Sequence, residues 1–281
     1  MPPSTSPFPR PDIAARLRAA GCVFAEDEAE LLISAAATPA ELARMVDQRA
    51  AGMPLEHVLG WAEFCGLRIA VAPRVFIPRR RTEFLARQAV LLARQAAGAA
   101  DTARAGQGGG AAPPVVVDLC CGSGAVAAAV AAALPRVEVH AADIDPAAVR
   151  CARRNLTAAG GQVYEGDLYQ PLPGTLRGRV DVLIANAPYV PTAEVGLLPP
   201  EARIHEPRTA LDGGADGLAI LRRITAEAPR WLAPGGHLLV EASERQAPQL
   251  AAVATGHGLV PSVATSEELA ATVLIASRDG R

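Results

Sequence analysis

The chain lacks a charge excess of either sign. A formal net charge of −2 over 281 residues leaves no overall basic field to draw it onto nucleic acid, so only a local basic patch could do so. It also lacks paired cysteines. The five present, Cys22, Cys65, Cys120, Cys121 and Cys151, are odd in number and show no Cys-x-x-Cys spacing. Neither a disulfide framework nor a zinc site follows, and no metal is expected. Reduced thiols in the cytoplasm are the simplest reading. Met1 to Pro11 is rich in Pro and Ser and has none of the apolar core of a signal peptide. The one stretch with the length of a membrane span, Val115 to Leu134, is broken by Asp118, Gly122, Ser123 and Gly124. A strand, a glycine turn and a small-residue helix account for it better, so no membrane partner is expected. The chain is expected to be a monomer.

What is present is enough apolar material, 50% of residues, for one large domain and a small one. Residues 12–51 carry Ile13, Leu17, Leu31, Leu32, Leu42 and Val46 at helix-like spacing. Asp27 is placed to cap one helix, and Thr38-Pro39 to start the next. Residues 1–60 therefore read as a small helical domain. It either recognises a partner or covers one edge of the main core. Residues 61–113 read as a connector. Phe64 to Ile77 is extended, punctuated by Gly66 and Pro73 as in a β-hairpin. Phe84 to Ala97 is helical, and residues 98–114 are a Gly/Ala-rich linker. Arg79-Arg80-Arg81 before the helix opposes its dipole. An anionic ligand would favour the cluster, and a solvated turn is the plainer reading.

Residues 114–281 alternate in character. Val115–Leu119, Val137–Ala142, Val163–Glu165, Val180–Ala185 and His237–Glu241 read as strands, with Leu259–Val263 and Ala271–Ala276 closing the sheet. Between them Ala125–Leu134, Pro146–Ala158, Leu218–Trp231 and Gln246–Thr255 read as helices. This alternation predicts an α/β doubly wound fold with a largely parallel sheet.

Two clusters carry chemistry. The strand Val180–Ala185 runs into Asn186-Ala187-Pro188-Tyr189, at the end of a sheet where open α/β folds bind ligands. The Asn186 carboxamide and the Ala187 carbonyl offer two acceptors, Pro188 fixes the backbone, and Tyr189 offers a flat face. The set suits a planar group bearing an –NH2. The plainer reading is a strand-to-loop turn. The second cluster is Asp118-Leu119-Cys120-Cys121-Gly122-Ser123-Gly124, a glycine turn ahead of a helix N-terminus. Its spacing is not that of a dinucleotide fingerprint. Asp143, ending the next strand, stands where ribose hydroxyls are bound. Gly166-Asp167-Leu168 follows the third strand, where an adenine edge could be read. Asp145 before Pro146 reads as a helix cap. Cys120 and Cys121 read as small apolar packing.

Taken together, Asp118 to Gly124, Asp143, Gly166-Asp167 and Asn186 to Tyr189 resemble class I S-adenosylmethionine-dependent methyltransferases that act on amino groups. A wider frame is more specific. Leu55-Glu56-His57-Val58-Leu59-Gly60, Glu63-Phe64-x-Gly66-Leu67 and Ile77-Pro78-Arg79 with Thr82-Glu83 are similar to the HemK/PrmC family. So is Glu206-Pro207-Arg208-x-Ala210-Leu211-x-Gly213-Gly214-x-Asp216-Gly217-Leu218. These are protein-(glutamine-N5) methyltransferases acting on the Gly-Gly-Gln motif of peptide chain release factors. The likeness runs from about Leu55 to the C-terminus. It implies a Rossmann-like class I methyltransferase sheet with a small N-terminal helical domain and a β-hairpin connector. It implies S-adenosylmethionine as cofactor and a release factor as partner. Cys120 to Gly124 would surround the methionine part, Asp143 would hold the ribose, and Asp167 and Leu168 would border the adenine, with Asp118 and Asn186 also among the cofactor-binding residues. Asn186 and the Ala187 carbonyl would accept from the substrate carboxamide, with Pro188 and Tyr189 shaping the slot.

Four departures from that pattern stand out. Ala187 replaces the first Pro of Asn-Pro-Pro-Tyr, which loosens the loop. Arg80 and Arg81 replace a Pro and an acidic residue. Cys120-Cys121 replaces Gly-Thr. The helical domain is shorter, and a Gly-Arg-Asp-Arg-like segment is absent around Glu268 to Thr272. Two other readings compete: an adenine-N6 or cytosine-N4 nucleic-acid methyltransferase, whose base amine is the same planar group, and a cofactor-binding regulator without activity.

Overall fold

The structure, a computed structural model, describes residues 10–103 and 112–280. Met1 to Pro9 and most of the Gly-rich stretch expected as a linker, residues 104–111, lie outside the described residues.

Four helices open the chain: α1 (Arg10–Ala19), α2 (Ala25–Ala35), α3 (Pro39–Ala50) and α4 (Leu55–Leu59). They bury Leu17, Leu32, Leu42, Met45 and Val46 in a core of their own. Thr38 caps α3 as its sequence position predicts: its hydroxyl accepts from the Glu41 N–H, and the Glu41 carboxylate accepts from the Ala37 N–H. That satisfies two of the N–H groups a helix start leaves open. Asp27 does not cap α2. Phe24 holds the cap position with no side-chain bond, and Asp27 sits within the first turn, where its charge still favours the helix dipole.

The connector begins with an antiparallel hairpin, β1 (Trp61–Phe64) and β2 (Leu67–Ala70). Its turn is Cys65-Gly66, both at positive φ (51 and 74), a geometry whose twist matches that of the flanking strands. The hairpin thus lies earlier than the span read from Phe64 to Ile77, and Pro73 falls beyond it. Phe64 and Ile69 are buried beneath. A helix α5 (Glu83–Ala103) follows. It runs six residues into the stretch read as linker, because one glycine among alanines weakens a helix without ending it.

The remainder is a seven-stranded sheet in the order β5-β4-β3-β6-β7-β9-β8. Its strands are β3 (Val115–Leu119), β4 (Glu138–Asp143), β5 (Gln162–Glu165), β6 (Val180–Ala185), β7 (Leu232–Ala242), β8 (Leu259–Ser266) and β9 (Ala271–Arg278). The strands from β5 to β7 pair in parallel. Strand β9 enters antiparallel between β7 and β8. Helices α6 (Ala125–Ala133), α7 (Pro146–Leu156), α8 (Pro200–His205), α9 (Ala219–Trp231) and α10 (Ala247–Gly256) complete the chain. Short α8 has no counterpart in the sequence reading. Two apolar cores lie on opposite faces, one with Leu183, Leu221 and Ile224, the other with Val116, Val130 and Leu239. Every residue of β3 is buried, as a strand covered on both faces requires. Strand order reverses between β3 and β6, and a crevice opens at the ends of strands at such a reversal. No described helix is long and apolar enough to cross a membrane.

Candidate active site

That crevice holds a cavity of about 860 Å³, within the range of small-molecule sites. It brings together Asp118, Cys120, Cys121, Gly122, Ser123, Asp143, Asp167, Leu168, Asn186, Ala187, Pro188 and Tyr189. Of the expected site residues only Gly124 is not on its wall. Gly124 is the left-handed residue that starts α6, where an added Cβ would come within 3.1 Å of Ala152.

The glycine turn is held open from below. Cys121 N–H donates to the Ala142 carbonyl at 3.1 Å, and Gly122 N–H donates to Asp143 Oδ2 at 2.8 Å. Gly122 has φ +55, and an added Cβ would meet nothing within 4 Å: its bare face borders open space in the cavity. Asp143 Oδ1 accepts from the Asp145 N–H at 2.9 Å. Both Asp143 oxygens are thus oriented by backbone donors, with the Ile144 N–H adding to the pull. Burial raises its carboxyl above the usual range, against the pull of these N–H groups. Asp145 caps α7 through the Ala147 N–H, as its place before Pro146 predicts. Asp118 is buried and accepts from the Ala127 N–H at 3.2 Å. Burial, with the Asp143 charge adding, pushes its carboxyl up to about 7. Burial also raises both thiols of Cys120 and Cys121, and all five cysteines are free. On the far wall Asp167 pairs with Arg223 at 2.5 Å, and Leu168 turns at φ 50 beside it.

The Asn186–Tyr189 segment is gripped at both ends. Asn186 Nδ2 donates to Thr82 Oγ1 at 3.2 Å, which leaves Asn186 Oδ1 as the acceptor. Tyr189 O–H donates to Glu241 Oε1 at 3.1 Å, and Arg81 Nε lies 3.2 Å from the same oxygen. The Arg81 guanidinium sits over the Tyr189 ring, 5.5 Å from its centroid. Burial, then the Glu241 charge, raises the Tyr189 phenol, so it stays a donor. Behind the segment, Gln246 Nε2 donates to the carbonyls of Tyr189 and Asp216. Gly213 N–H donates to the Val190 carbonyl at 2.8 Å. The backbone after Pro188 is thus clamped by the 206–218 segment, although Ala187 stands where a second proline would stiffen it.

Two of the three clustered arginines are paired within the chain. Arg79 pairs with Glu206 at 2.6 Å, and Glu206 also accepts from the Ile77 N–H. Arg81 pairs with Glu241, and Arg80 is exposed. Carboxylates from distant segments supply what the local sequence withholds. Thr82 and Arg223 line the cavity, and Glu241 and Gln246 hold Tyr189 from behind it; the sequence reading misses all four. Thr82 lies inside the motif that follows Ile77-Pro78-Arg79, and Glu241 is legible as a charge ending an apolar strand. Gln246 and Arg223 give no local signal. Among the described residues no group of three or more His, Cys, Asp or Glu is placed to hold a metal.

A doubly wound sheet with its last strand antiparallel, and a cavity built by a glycine turn, an acidic β4 end and an Asn-x-Pro-Tyr segment, defines a class I methyltransferase. The methyltransferase small domain matches residues 111–214. The T. thermophilus 16S rRNA methyltransferase RsmC shares the fold. It has a TM-score of 0.50 and 19% identity, covering 78% of this chain and 49% of that one. Sequence carries the assignment further. The release factor glutamine methyltransferase of Geobacter sulfurreducens is 39% identical, over 74% of this chain and 68% of that protein. That of Gloeobacter violaceus is 41% identical, over 75% and 70%. That of Bradyrhizobium diazoefficiens is 31% identical over 89% of this chain and 86% of its own length, so the likeness reaches into the helices before Leu55. The chain belongs to the release factor glutamine methyltransferase family.

Proposed function

We propose that the chain methylates the side-chain amide nitrogen (N5) of a glutamine in a peptide chain release factor, at its Gly-Gly-Gln motif, with S-adenosylmethionine as methyl donor. The observation that carries this is the orientation of Asn186. With Nδ2 bonded to Thr82, Oδ1 is left as an acceptor at the end of β6. The neighbouring Ala187 carbonyl supplies a second. Two acceptors match the two hydrogens of a carboxamide –NH2.

The residues present fit the donor. Gly122 offers a surface bare of side chain, Asp143 offers a fixed carboxylate for a diol, and Asp167 and Leu168 border the wall where a base would lie. When bound, S-adenosylmethionine supplies a methyl group made electrophilic by its sulfonium. The chain's own part is positioning. An amide nitrogen is a poor nucleophile because its lone pair is delocalised. Asn186 and the Ala187 carbonyl would grip its hydrogens, fix its direction and add electron density as the bond forms. Pro188 and Tyr189 would confine the plane of the carboxamide. No covalent enzyme intermediate is required, and the amide proton leaves after transfer.

The helices of residues 1–60 are the proposed partner-recognition domain, 61–113 the connector and 114–281 the methyltransferase domain. Arg49 on α3 reaches Glu201 at 2.7 Å, and Glu201 lies on the cavity wall. The helical domain is therefore tied to the rim of the site. A base amine offers the same planar group, but Arg79 and Arg81, the cations at the mouth, are occupied by Glu206 and Glu241.

The test uses purified protein, labelled S-adenosylmethionine and release factors, with Asn186→Ala as control. Label on the Gly-Gly-Gln glutamine, lost in the control with cofactor affinity retained, is the expected result. Cofactor binding without transfer to release factors would overturn it and turn attention to nucleic acid or to a regulatory role.

A further inference from the structure

Glu241, next to the last residue of strand β7, lies beside the site, its side chain 3% exposed. Its Oε2 is the buried side-chain nitrogen or oxygen that, among the described residues, has no hydrogen-bond partner. A buried carboxylate with one oxygen unmet is a poor stabiliser, and a well-packed apolar residue would serve the fold as well or better. Its Oε1 is engaged twice. It accepts from the Tyr189 O–H at 3.1 Å and lies 3.2 Å from Arg81 Nε. Arg81 in turn lies over the Tyr189 ring, so three side chains from three segments close a triangle. Tyr189 is held at its other end too, where its carbonyl accepts from Gln246. Its hydroxyl and its backbone are thus both tied down.

We propose that Glu241 is a positioning residue of the transfer reaction. Acting through Tyr189 and Arg81, it fixes the aromatic wall against which the acceptor carboxamide lies, before that group arrives. The proposal rests on the assignment of Asn186–Tyr189 as the acceptor slot. Arg81 lies over one face of the ring, and Tyr189 forms part of the cavity wall. A wall set in advance lowers the ordering cost at the moment of reaction. The residue does not touch the reacting atoms, and its loss is felt in turnover rather than in cofactor binding.

The experiment measures kcat, KM for a Gly-Gly-Gln release factor, the S-adenosylmethionine Kd and the melting temperature. Glu241→Gln is expected to lower kcat about tenfold, the loss of one charge-assisted contact, with the Kd within about twofold of the parent. Tyr189→Phe keeps the ring and loses the hydroxyl, and is expected to lower kcat similarly. The double variant should lose no more than either single one, because both break one unit. Additive losses that follow the melting temperature would reduce Glu241 to a structural role and overturn the proposal. So would unaltered kcat in Glu241→Gln. Should that variant not fold, Arg81→Gln with Tyr189→Phe carries the same cycle: non-additive loss supports the unit, and additive loss overturns it. Asn186→Ala separates the failures. If it too turns over normally, the slot itself is misassigned. If it is inactive while Glu241→Gln is unimpaired, only the positioning role falls.

Discussion

Asn186 Nδ2 donates to Thr82 Oγ1 across 3.2 Å, joining positions 104 residues apart. The bond decides which end of the Asn186 amide faces the cavity. Without a hydroxyl at 82 the amide can turn over and present a donor where the proposed slot requires an acceptor. Thr82→Val is therefore expected to lower kcat about tenfold, with S-adenosylmethionine affinity unchanged. Thr82→Ser, which keeps the hydroxyl, should recover most of it. Equal turnover in the Val and Ser variants would separate Thr82 from the reaction.

The clamp behind the slot depends on glycine at position 217. Its φ is +77, and an added Cβ would fall 2.2 Å from the Tyr189 carbonyl oxygen and 2.4 Å from Gln246 Nε2. Backbone has nowhere to move there, so Gly217→Ala is expected to destabilise the protein by about 1–3 kcal/mol or more. Chemical denaturation reads that loss. Activity should fall further than stability, because the displaced atoms carry the proposed acceptor segment. Gly66, also at positive φ but with nothing within 4 Å, supplies the control: there only the backbone strain remains, about 1–2 kcal/mol.

How much of this is legible in the sequence varies with the origin of each feature. Strands β3 and β6 match their sequence spans residue for residue, since each is a short β-branched, mostly apolar run with a single Asp in it (Asp118, Asp181) and a turn after it. Strand β7 begins at Leu232, five residues before the run His237–Glu241, because Pro234-Gly235-Gly236 hides its first part. The hairpin turn Cys65-Gly66 carries no Asn-Gly or Asp-Gly signal, so local pattern places the hairpin too late. The site divides in the same way. Asp143, Asn186 and Tyr189 sit at strand ends, where topology alone predicts ligands. Thr82, Glu241 and Gln246 act by contacts between distant segments, which no local periodicity records. The arginine cluster shows the limit most clearly: its partners, Glu206 and Glu241, lie more than a hundred residues away.

Arg49 anchors the helical domain to the rim of the site. Its side chain is 9% exposed and pairs with Glu28, also buried, and with Glu201, half exposed. The two partners are not equivalent. Arg49→Met leaves the Glu28 carboxylate buried without its cation and is expected to cost about 3–5 kcal/mol. Glu201→Gln breaks only a solvent-screened contact and should cost about 0–1 kcal/mol. Urea denaturation of the two variants checks the ratio. If the helices recognise the partner as proposed, the Glu201 variant raises KM for the release factor, because it frees the cavity wall from them; an unchanged KM would mean that the contact only braces the fold.

Asp118 predicts the pH dependence of stability. Burial holds its folded-state carboxyl at about 7, well above the ordinary carboxylate range. Between those two values the folded protein binds a proton that the unfolded chain has already lost. Its contribution to stability is therefore fully present in acid and declines as pH rises through that window, levelling off above about 7. Asp143, also raised by burial, acts in the same direction. Groups held below their usual range, such as Asp216 beside Arg222, act oppositely, but at lower pH. Asp118→Asn retains an acceptor for the Ala127 N–H without the proton linkage. Its denaturation free energy should vary less between about pH 5 and 7 than that of the parent, with the gap between the two proteins widening as pH rises. A parent whose stability climbs through that interval by as much as the variant's would show that Asp118 titrates as an ordinary carboxylate.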